Sequence, residues 1–398
     1  MTTFLIRRFV QMFLVTVIAA FFSFGLLYLA PGGPIDELIG AQRQNEGKGQ
    51  VNQDDIRRVK ERFDLDFYLP FRFTRWLIGW PSGPLFGSVG ADWQVGCSVP
   101  GQVRLRYPDG TVEFREQGCE VPLTLGDIEG RRVSNGILLG DFGVSQVILR
   151  DRPVTTLIMS RLPYTLALMG ASITLSILIA VPIGIYSAVR QYSRFDYIMT
   201  TVAFVGSSLP SFVFGIFAIL LFSILAQRAG LPYLPPGNAS GARDWTMPLL
   251  GTIEAGSLLD RALRFIMPVS VLTFINIAGW SRFVRASMLE VLNQDYVRTA
   301  RAKGVQERMV VMKHALRNAL IPFITLLAGV LAALFGGALI TEAVFNWPGL
   351  GRLFVDALGR NDYNVVMALL FVNVVLLLIG ILITDILYTI VDPRIRLA

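Results

Sequence analysis

The sequence predicts an all-α polytopic membrane protein. It has six transmembrane helices, both termini cytoplasmic, and a small β-containing extracytoplasmic insertion. Three observations predict this. Of the 398 residues, 53% are hydrophobic and 16% charged, where an ordinary soluble domain carries about 25% charged residues. Several uncharged apolar runs exceed the roughly 18 residues that mark a membrane-spanning helix. The Lys and Arg residues also fall unevenly between the segments that link those runs. A soluble enzyme is excluded by this composition, and 37 Gly with 20 Pro scattered without period exclude a fibrous repeat.

The apolar runs place spans at Phe9–Leu29, Leu162–Val189, Tyr197–Ala226, Phe265–Phe283, Ala319–Ile340 and Val365–Ile390. The first, within residues 1–31, follows Arg7 and Arg8 as a signal peptide would. Its 21-residue run is longer than the 7–15 of a typical signal core. It ends in Ala30-Pro31-Gly32-Gly33-Pro34 with no small-x-small cleavage pattern, so a retained span is expected. Six spans put both termini on one side. The segments on that side hold 14 of the 36 Lys and Arg residues against five acids, Asp196, Glu290, Asp295, Glu307 and Asp392. The other side holds 22 cations against 23 acids, so all of the +7 excess lies on the side of the termini. That is the pattern of a cytoplasmic face. On a soluble chain the same charge would suggest nucleic acid; here no nucleic-acid partner is expected.

Residues 32–161 form the one long polar stretch and are expected outside. Asn52 to Phe63 reads as a short amphipathic helix capped by Asn52 or Asp54. An inserted module of about 80–139 contains Val103–Tyr107 and Thr111–Arg115, which alternate in character around Pro108-Asp109-Gly110, a β-hairpin signal. Pairing these strands brings opposite residues whose numbers sum to about 218, and Cys97 with Cys119 sums to 216. The register thus brings the two thiols close. A disulfide on an oxidising outer face is one reading, and two unpaired thiols in a small core is the other.

Residues 162–398 hold the five remaining spans and a basic loop, 282–318, between the fourth and fifth. In that loop Leu292, Tyr296 and Ala300 repeat every four residues and share a helical face. Arg298, Arg301 and Lys303 point elsewhere. Gly304 ends the helix, and a second is expected from near Val305. A short helix with the small residues Thr299, Ala300, Ala302 and Gly304, flanked by cations, suits docking into an acidic-rimmed groove of another protein. A basic loop that fixes topology or binds anionic lipid accounts for the same pattern.

The run Arg298-Thr299-Ala300-Arg301-Ala302-Lys303-Gly304, followed by His314-Ala315-Leu316-Arg317-Asn318-Ala319-Leu320-Ile321-Pro322, resembles the cytoplasmic coupling-loop motif of ABC-importer permeases. It resembles most closely the dipeptide/oligopeptide/nickel branch. The general motif is E-A-A-x3-G-x9-I-x-L-P. Ala300, Gly304 and Leu316 keep it; Arg298, Thr299, His314 and Arg317 depart from it, with Pro322 placed later. The departures are themselves the pattern of the peptide branch. The likeness extends to Leu29–Pro34, Gly140–Ser145, Arg161–Pro163, Ser208–Phe212, Glu342–Gly351 and Val391–Arg394. Only about Trp80 to Leu139 has no expected counterpart.

The resemblance implies a permease subunit of an ATP-driven, binding-protein-dependent importer in the cell membrane. Di- or oligopeptides are the expected cargo, and nickel or another small solute the alternative. It implies a second permease subunit, two ATP-binding subunits, an extracytoplasmic peptide-binding protein and a surrounding lipid bilayer. Tyr296, Arg298, Thr299, Ala300, Arg301, Ala302, Lys303 and Gly304 become the ATPase-coupling residues. A phosphate-cradling loop needs Lys followed by Ser or Thr. The four lysines, Lys48, Lys60, Lys303 and Lys313, are followed by Gly, Glu, Gly and His. ATP and Mg are therefore assigned to the partner ATPases, and this chain is expected to hold no cofactor and no catalytic residue.

One histidine, His314, and two cysteines exclude most metal and nucleophile chemistry. An intramembrane hydrolase lacks its constellation. A secondary transporter would need intramembrane charges and mirrored halves, and neither is present. Pro182, Pro210 and Pro268 interrupt spans as gating bends or ordinary kinks. Pro210 and Ser211, Asn276, and the Gly336-Gly337 pair are candidates for the translocation path or its gating. Each also reads as helix packing. Asp385 lies within the last span, where pairing with Arg394 or Arg396 is expected.

Overall fold

The computed structural model describes residues 2–29, 60, 64–84, 89–106, 112–128, 135–333 and 338–391. Most of these are helical. The expected helix at Asn52–Phe63, the Gly336-Gly337 pair, and Arg394 and Arg396 lie outside the described residues. The chain divides into two contact units, Met1–Phe13 with Ile158–Gly359 and Val372–Ala398, and Leu14–Leu157 with Arg360–Phe371.

In the smaller unit, the later part of α1 (Thr2–Leu29) meets α2 (Leu69–Ile78) through aromatic rings. Phe24 lies 5.6 Å from Phe73 and 5.3 Å from Trp76. Arg75 on α2 is buried and satisfied by Asp64 at 2.9 Å and the Pro81 carbonyl at 2.8 Å, with its guanidinium over the Phe67 ring. Strands β1 (Gln94–Arg106) and β2 (Val112–Thr124) pair antiparallel as a hairpin. Its base, with Val95, Leu123, Leu125 and Ile128, packs on Phe67.

The hairpin keeps the expected register from Val103↔Arg115 to Arg106↔Val112. Nearer the base, bulges slide it so that Cys97 faces Pro122 and Pro100 faces Cys119. A bulge inserts a residue on one strand, and the cysteines are therefore not direct ladder partners. Their Cα atoms are still 5.9 Å apart and the disulfide Cys97–Cys119 is formed, so the paired reading of the thiols holds.

Asp362 anchors the loop that precedes the next helix. Its buried carboxylate accepts the Ser145 hydroxyl at 2.6 Å and the N–H groups of Gln146, Val147 and Ile148. A single carboxylate thus satisfies a whole turn of loop donors.

The larger unit is built on long helices. α3 spans Val154–Val189 and contains both Pro163 and Pro182. α4 (Arg194–Ser208) is followed by α5 (Ser211–Ile219), which runs into a π-turn at Leu220–Leu225. The third expected span is therefore two helices. Pro210 has no N–H to continue the ladder and drives Leu209 out of the helical region, to φ −106° and ψ 141°. Pro182 and Pro268, by contrast, sit inside continuous helices.

A small hairpin, β3 (Trp245–Met247) and β4 (Gly251–Ile253), precedes α6 (Leu258–Leu292). At 35 residues, α6 is about 52 Å long at 1.5 Å per residue, well beyond the expected Phe265–Phe283. α7 (Asp295–Ala302) leads to one turn at Glu307–Met309, a second π-turn at Val310–Ala315, and α8 (Leu316–Ala333). Two short helices, α9 (Leu339–Val344) and α10 (Leu350–Gly359), precede α11 (Tyr363–Val391).

Among the described residues five helices are long and apolar enough to cross a membrane, over Ile6–Gly25, Val154–Val189, Ser211–Arg228, Leu258–Leu292 and Tyr363–Ile383. They match five of the six expected spans. The remaining one, 319–340, is helical over Leu316–Ala333. Large apolar side chains such as Phe13, Phe22, Phe217 and Phe222 are left exposed on these helices, the surface a bilayer covers.

Helix crossings use small residues. A Cβ on Gly184 of α3 would lie 2.7 Å from the Val284 Cβ, and one on Gly206 of α4 would lie 2.8 Å from the Ala278 Cβ. Asp385 of α11 pairs with Arg8 of α1 at 2.5 Å, a partner other than the expected Arg394 or Arg396. The pair joins two helices that the sequence separates by the whole chain.

Candidate functional site

The candidate site is built on the end of α6 and the segment that follows it. Trp280, Val284 and Met288 share one stripe of α6 at helical spacing. They cluster with Ala180 and Ala188 of α3, Val310, Val311 and Ala315 of the π-turn, and Phe323 of α8. Into this apolar floor α7 sets Val297, fully buried, and Ala300. α7 is therefore seated by Val297 and Ala300 at a three-residue step, while Leu292, expected on one helical face with Tyr296 and Ala300, ends α6 and packs against the same cluster. Tyr296 stands at the edge, 43% exposed, where its hydroxyl accepts a bond from the Asn318 amide at 2.8 Å.

The rest of α7 faces outward. Arg298, Thr299, Arg301, Ala302, Lys303 and Gly304 are all exposed, and the Thr299 hydroxyl turns back to the Asp295 carbonyl. Gly304 stops the helix in the left-handed region, at φ +73°. Its N–H donates to the Arg301 carbonyl at 3.0 Å. The second helical stretch begins at Glu307, two residues after the expected Val305. The reversal is clasped by Arg301, whose Nη2 lies 2.7 Å from Glu307 Oε1 and Nε 3.1 Å from Oε2. The Arg301 guanidinium holds the Glu307 carboxyl below its usual range. Because both side chains are exposed, the clasp is worth little stability. It shapes the turn.

The structure brings the eight α7-loop candidates together on one platform, with Ala300 beneath and the others on top or at the rim. Among the described residues it does not bring Pro210 and Ser211 together with Asn276, and Gly336 and Gly337 lie outside them. Pro210 caps α5 and Ser211 begins it. Their helix pair meets α6 through Phe214 on Phe274 and Gly206 on Ala278. Asn276, midway between Phe274 and Ala278 in sequence, falls on the opposite side of α6 at 100° per residue.

Three buried carboxylates carry more of the architecture than the sequence reading assigned to them. Asp196, in the first turn of α4, accepts a two-point pair from Arg285 of α6, at 2.6 and 2.8 Å. Asp260, in the first turn of α6, accepts from Gly241 N–H, Gly256 N–H, the Trp245 indole and Arg264. Both lie three residues after a capping serine, Ser193 and Ser257, whose hydroxyls accept the Asp N–H groups. The Ser-x-x-Asp pattern ahead of an apolar run was the signal that could have found them.

Glu342 of α9 is fully buried. It accepts the Thr165 hydroxyl of α3 at 3.0 Å and the Arg352 N–H of α10 at 2.9 Å, while Thr165 accepts Leu350 N–H at 2.8 Å. The carboxylate thus caps the start of α10. Any Cβ at Gly349 would collide with the Glu342 carboxyl group, and one at Gly351 would lie 2.7 Å from the Leu339 Cα. The spacing Glu342…Gly349-Leu350-Gly351 is what this cap requires. Burial pushes the Glu342 carboxyl up, against the pull of its donors.

Among the described residues no group of three or more His, Cys, Asp or Glu side chains could hold a metal ion. The geometry describes a membrane chain with a basic, small-residue platform on an apolar floor.

Comparison with known proteins is consistent with this description. Residues 180–397 match the family described as "Binding-protein-dependent transport system inner membrane component". The chain is 44% identical to the oligopeptide transport system permease protein AppB of Bacillus subtilis (strain 168), over 65% of this chain and 76% of the relative. It is 37% identical to the dipeptide transport system permease protein DppB of Escherichia coli (strain K12), over 66% and 78% respectively. Among solved structures, a chain of the inward-facing MetNI methionine ABC transporter aligns with TM-score 0.45 and 17% identity, over 60% of this chain and 97% of that one. The family match spans the platform, its apolar floor and the Glu342 cap, and the chain is a multi-pass inner-membrane component of the binding-protein-dependent transport family.

Proposed function

We propose that this chain is the permease subunit of an ATP-driven importer of di- and oligopeptides. It forms half of the translocation path with a second, related permease and couples to two ATP-binding subunits through residues 282–318. One observation carries the reading: α7 is seated by Val297 and Ala300 while its cationic, small-residue face stays exposed. Such a helix offers close backbone approach and charge to an acidic groove. In this reading both termini and the platform are cytoplasmic, and residues 32–161, with the inserted module about 80–139, face outward. ATP-driven closure of the partner subunits moves the platform and biases an inward- against an outward-facing state. The names of the relatives in Bacillus subtilis and Escherichia coli support a peptide cargo, and the family description supports its delivery by a binding protein.

Copurification from native membranes tests the proposal. Recovery of two ATPase chains, a second permease and a binding protein loaded with peptide is expected. A binding protein loaded with nickel or another small solute would keep the importer and overturn the cargo. A lone chain that conducts solute without ATP would overturn the whole reading.

A further inference from the structure

We infer that the Asp196–Arg285 pair is a positioning element that makes α4 move with the α7 platform and delivers that movement to the break at Leu209–Pro210. The inference rests on residues 282–318 being the docking loop. One turn of α6 carries both halves of the argument. Val284 and Met288 form the floor under Val297 and Ala300. Arg285, between them in sequence, turns to the neighbouring face and takes Asp196 in a two-point grip at 2.6 and 2.8 Å, with the Asp196 side chain 3% exposed. One turn earlier, Arg282 lays its guanidinium over the Phe204 ring of α4 at 5.0 Å and donates to the Ala278 carbonyl. α4 is thus held to α6 at both of its ends.

Beyond these two grips the α4–α6 contact is apolar, with Gly206 letting Ala278 and the Phe274 ring come close. A buried, bidentate ion pair has a fixed geometry and sets register where small apolar residues would slide. The other half of the broken span packs on the earlier part of α6 and on α9. Gly215 of α5 packs against Val344 and Phe345, and Phe214 joins the cluster of Met267, Val271 and Phe345. α9, which holds Val344, is in turn fixed to α3 and α10 by Glu342. Leu209 and Pro210 therefore join a helix gripped at the platform end of α6 to a helix packed on the earlier part of α6 and on α9. Two extended residues at a helix break are what a hinge needs.

The test uses the full importer complex in lipid nanodiscs and proteoliposomes. Spin labels are placed at exposed Tyr197 (α4), Gln294 (the cap of α7) and Phe217 (α5). The 197–294 distance is expected to stay constant between nucleotide-free and ATP-bound complexes, while 197–217 changes by about 2 Å or more. In Asp196→Ala and Arg285→Ala the 197–294 distance becomes nucleotide-dependent. Uptake per ATP hydrolysed falls about tenfold, with the ATPase chains still bound. The exchange Asp196→Arg with Arg285→Asp restores both readouts. Unchanged uptake per ATP in the single variants, equal loss of uptake and hydrolysis with no rescue, or a 197–217 distance indifferent to nucleotide would each overturn the inference. If single variants fail to accumulate, the two wild-type distances decide alone. Failure of wild-type chain to retain ATPases overturns the docking reading instead, a separate result.

Discussion

Replacing Gly304 separates the backbone's demand from any contact that a partner makes there. Gly304 sits at φ +73°, where an L-residue costs about 1–2 kcal/mol relative to the right-handed region. A Cβ built on it meets nothing within 4 Å in this chain, so no steric cost within the chain is added. The whole penalty falls on the turn that stops α7 and sets Arg301 opposite Glu307. At 1.4 kcal/mol per factor of ten, Gly304→Ala should weaken retention of the ATPase chains about 5- to 30-fold. Asn tolerates the left-handed region better than Ala, so the backbone account orders the variants Gly, Asn, Ala, Val from strongest to weakest. The assay is retention of ATPase chains on immobilised permease across a salt series, with the second permease as loading control. An order of Gly, Ala, Asn, Val would show that side-chain volume against a partner matters and backbone conformation does not. Retention unchanged in Gly304→Ala would refute the reasoning altogether.

Other perturbations follow from the buried groups. Glu342→Gln keeps the shape but places an amide donor against the N–H groups at the start of α10. Leaving a buried N–H unpaired costs about 1–3 kcal/mol, read as a lower thermal midpoint in detergent. Reducing Cys97–Cys119, 22 residues apart, removes roughly 3 kcal/mol by the loop-closure relation; faster proteolysis confined to the hairpin is expected, checked by mass mapping. Asp196, held below the usual carboxylate range by its hydrogen bond to Arg285, stabilises the fold fully above the unfolded carboxylate pKa of 3.8. That contribution is lost as pH falls through the lower, folded value. Thermal midpoints of wild type and Asp196→Asn should therefore differ by a constant amount from pH 7 to 5 and converge only below pH 4.

The long apolar spans, the platform and the hairpin were legible because each is written in local pattern: run length, period and turn residues. Gly304 could be read as a helix stop because only a left-handed position rewards glycine there. The seating of α7 was not legible because the four-residue repeat Leu292-Tyr296-Ala300 runs across the end of α6 and says nothing of which face is covered. The floor contributed by α3 and α8 selects Val297 instead, and no local pattern contains that floor. The Leu209 break was expected as a kink, since a proline announces the loss of one N–H and not whether neighbours will bridge it. Pro182 and Pro268 are bridged and Pro210 is not. Partners such as Arg285 for Asp196, or Arg8 for Asp385, lie too far along the chain for spacing to reveal them. The pairing of Glu342 with Gly349 and Gly351 sat inside a recognisable motif, but the reason for the glycines emerges only when the carboxyl group occupies the space their side chains would fill.

The π-turn at Val310–Ala315 gives the chain a spare residue. A π-turn is a single-residue surplus in an α-helical path, so excising one residue there would leave ordinary helix between the platform and α8. The Phe323 and Trp280 rings, now 5.9 Å apart, would keep their relation, whereas excising a residue from the regular helix that follows would re-phase everything downstream by about 100°. The surplus absorbs one residue of the path between the platform and α8 while each keeps the azimuth its own neighbours demand. Loss of one residue should therefore be better tolerated at this one place than anywhere in the regular helix that follows.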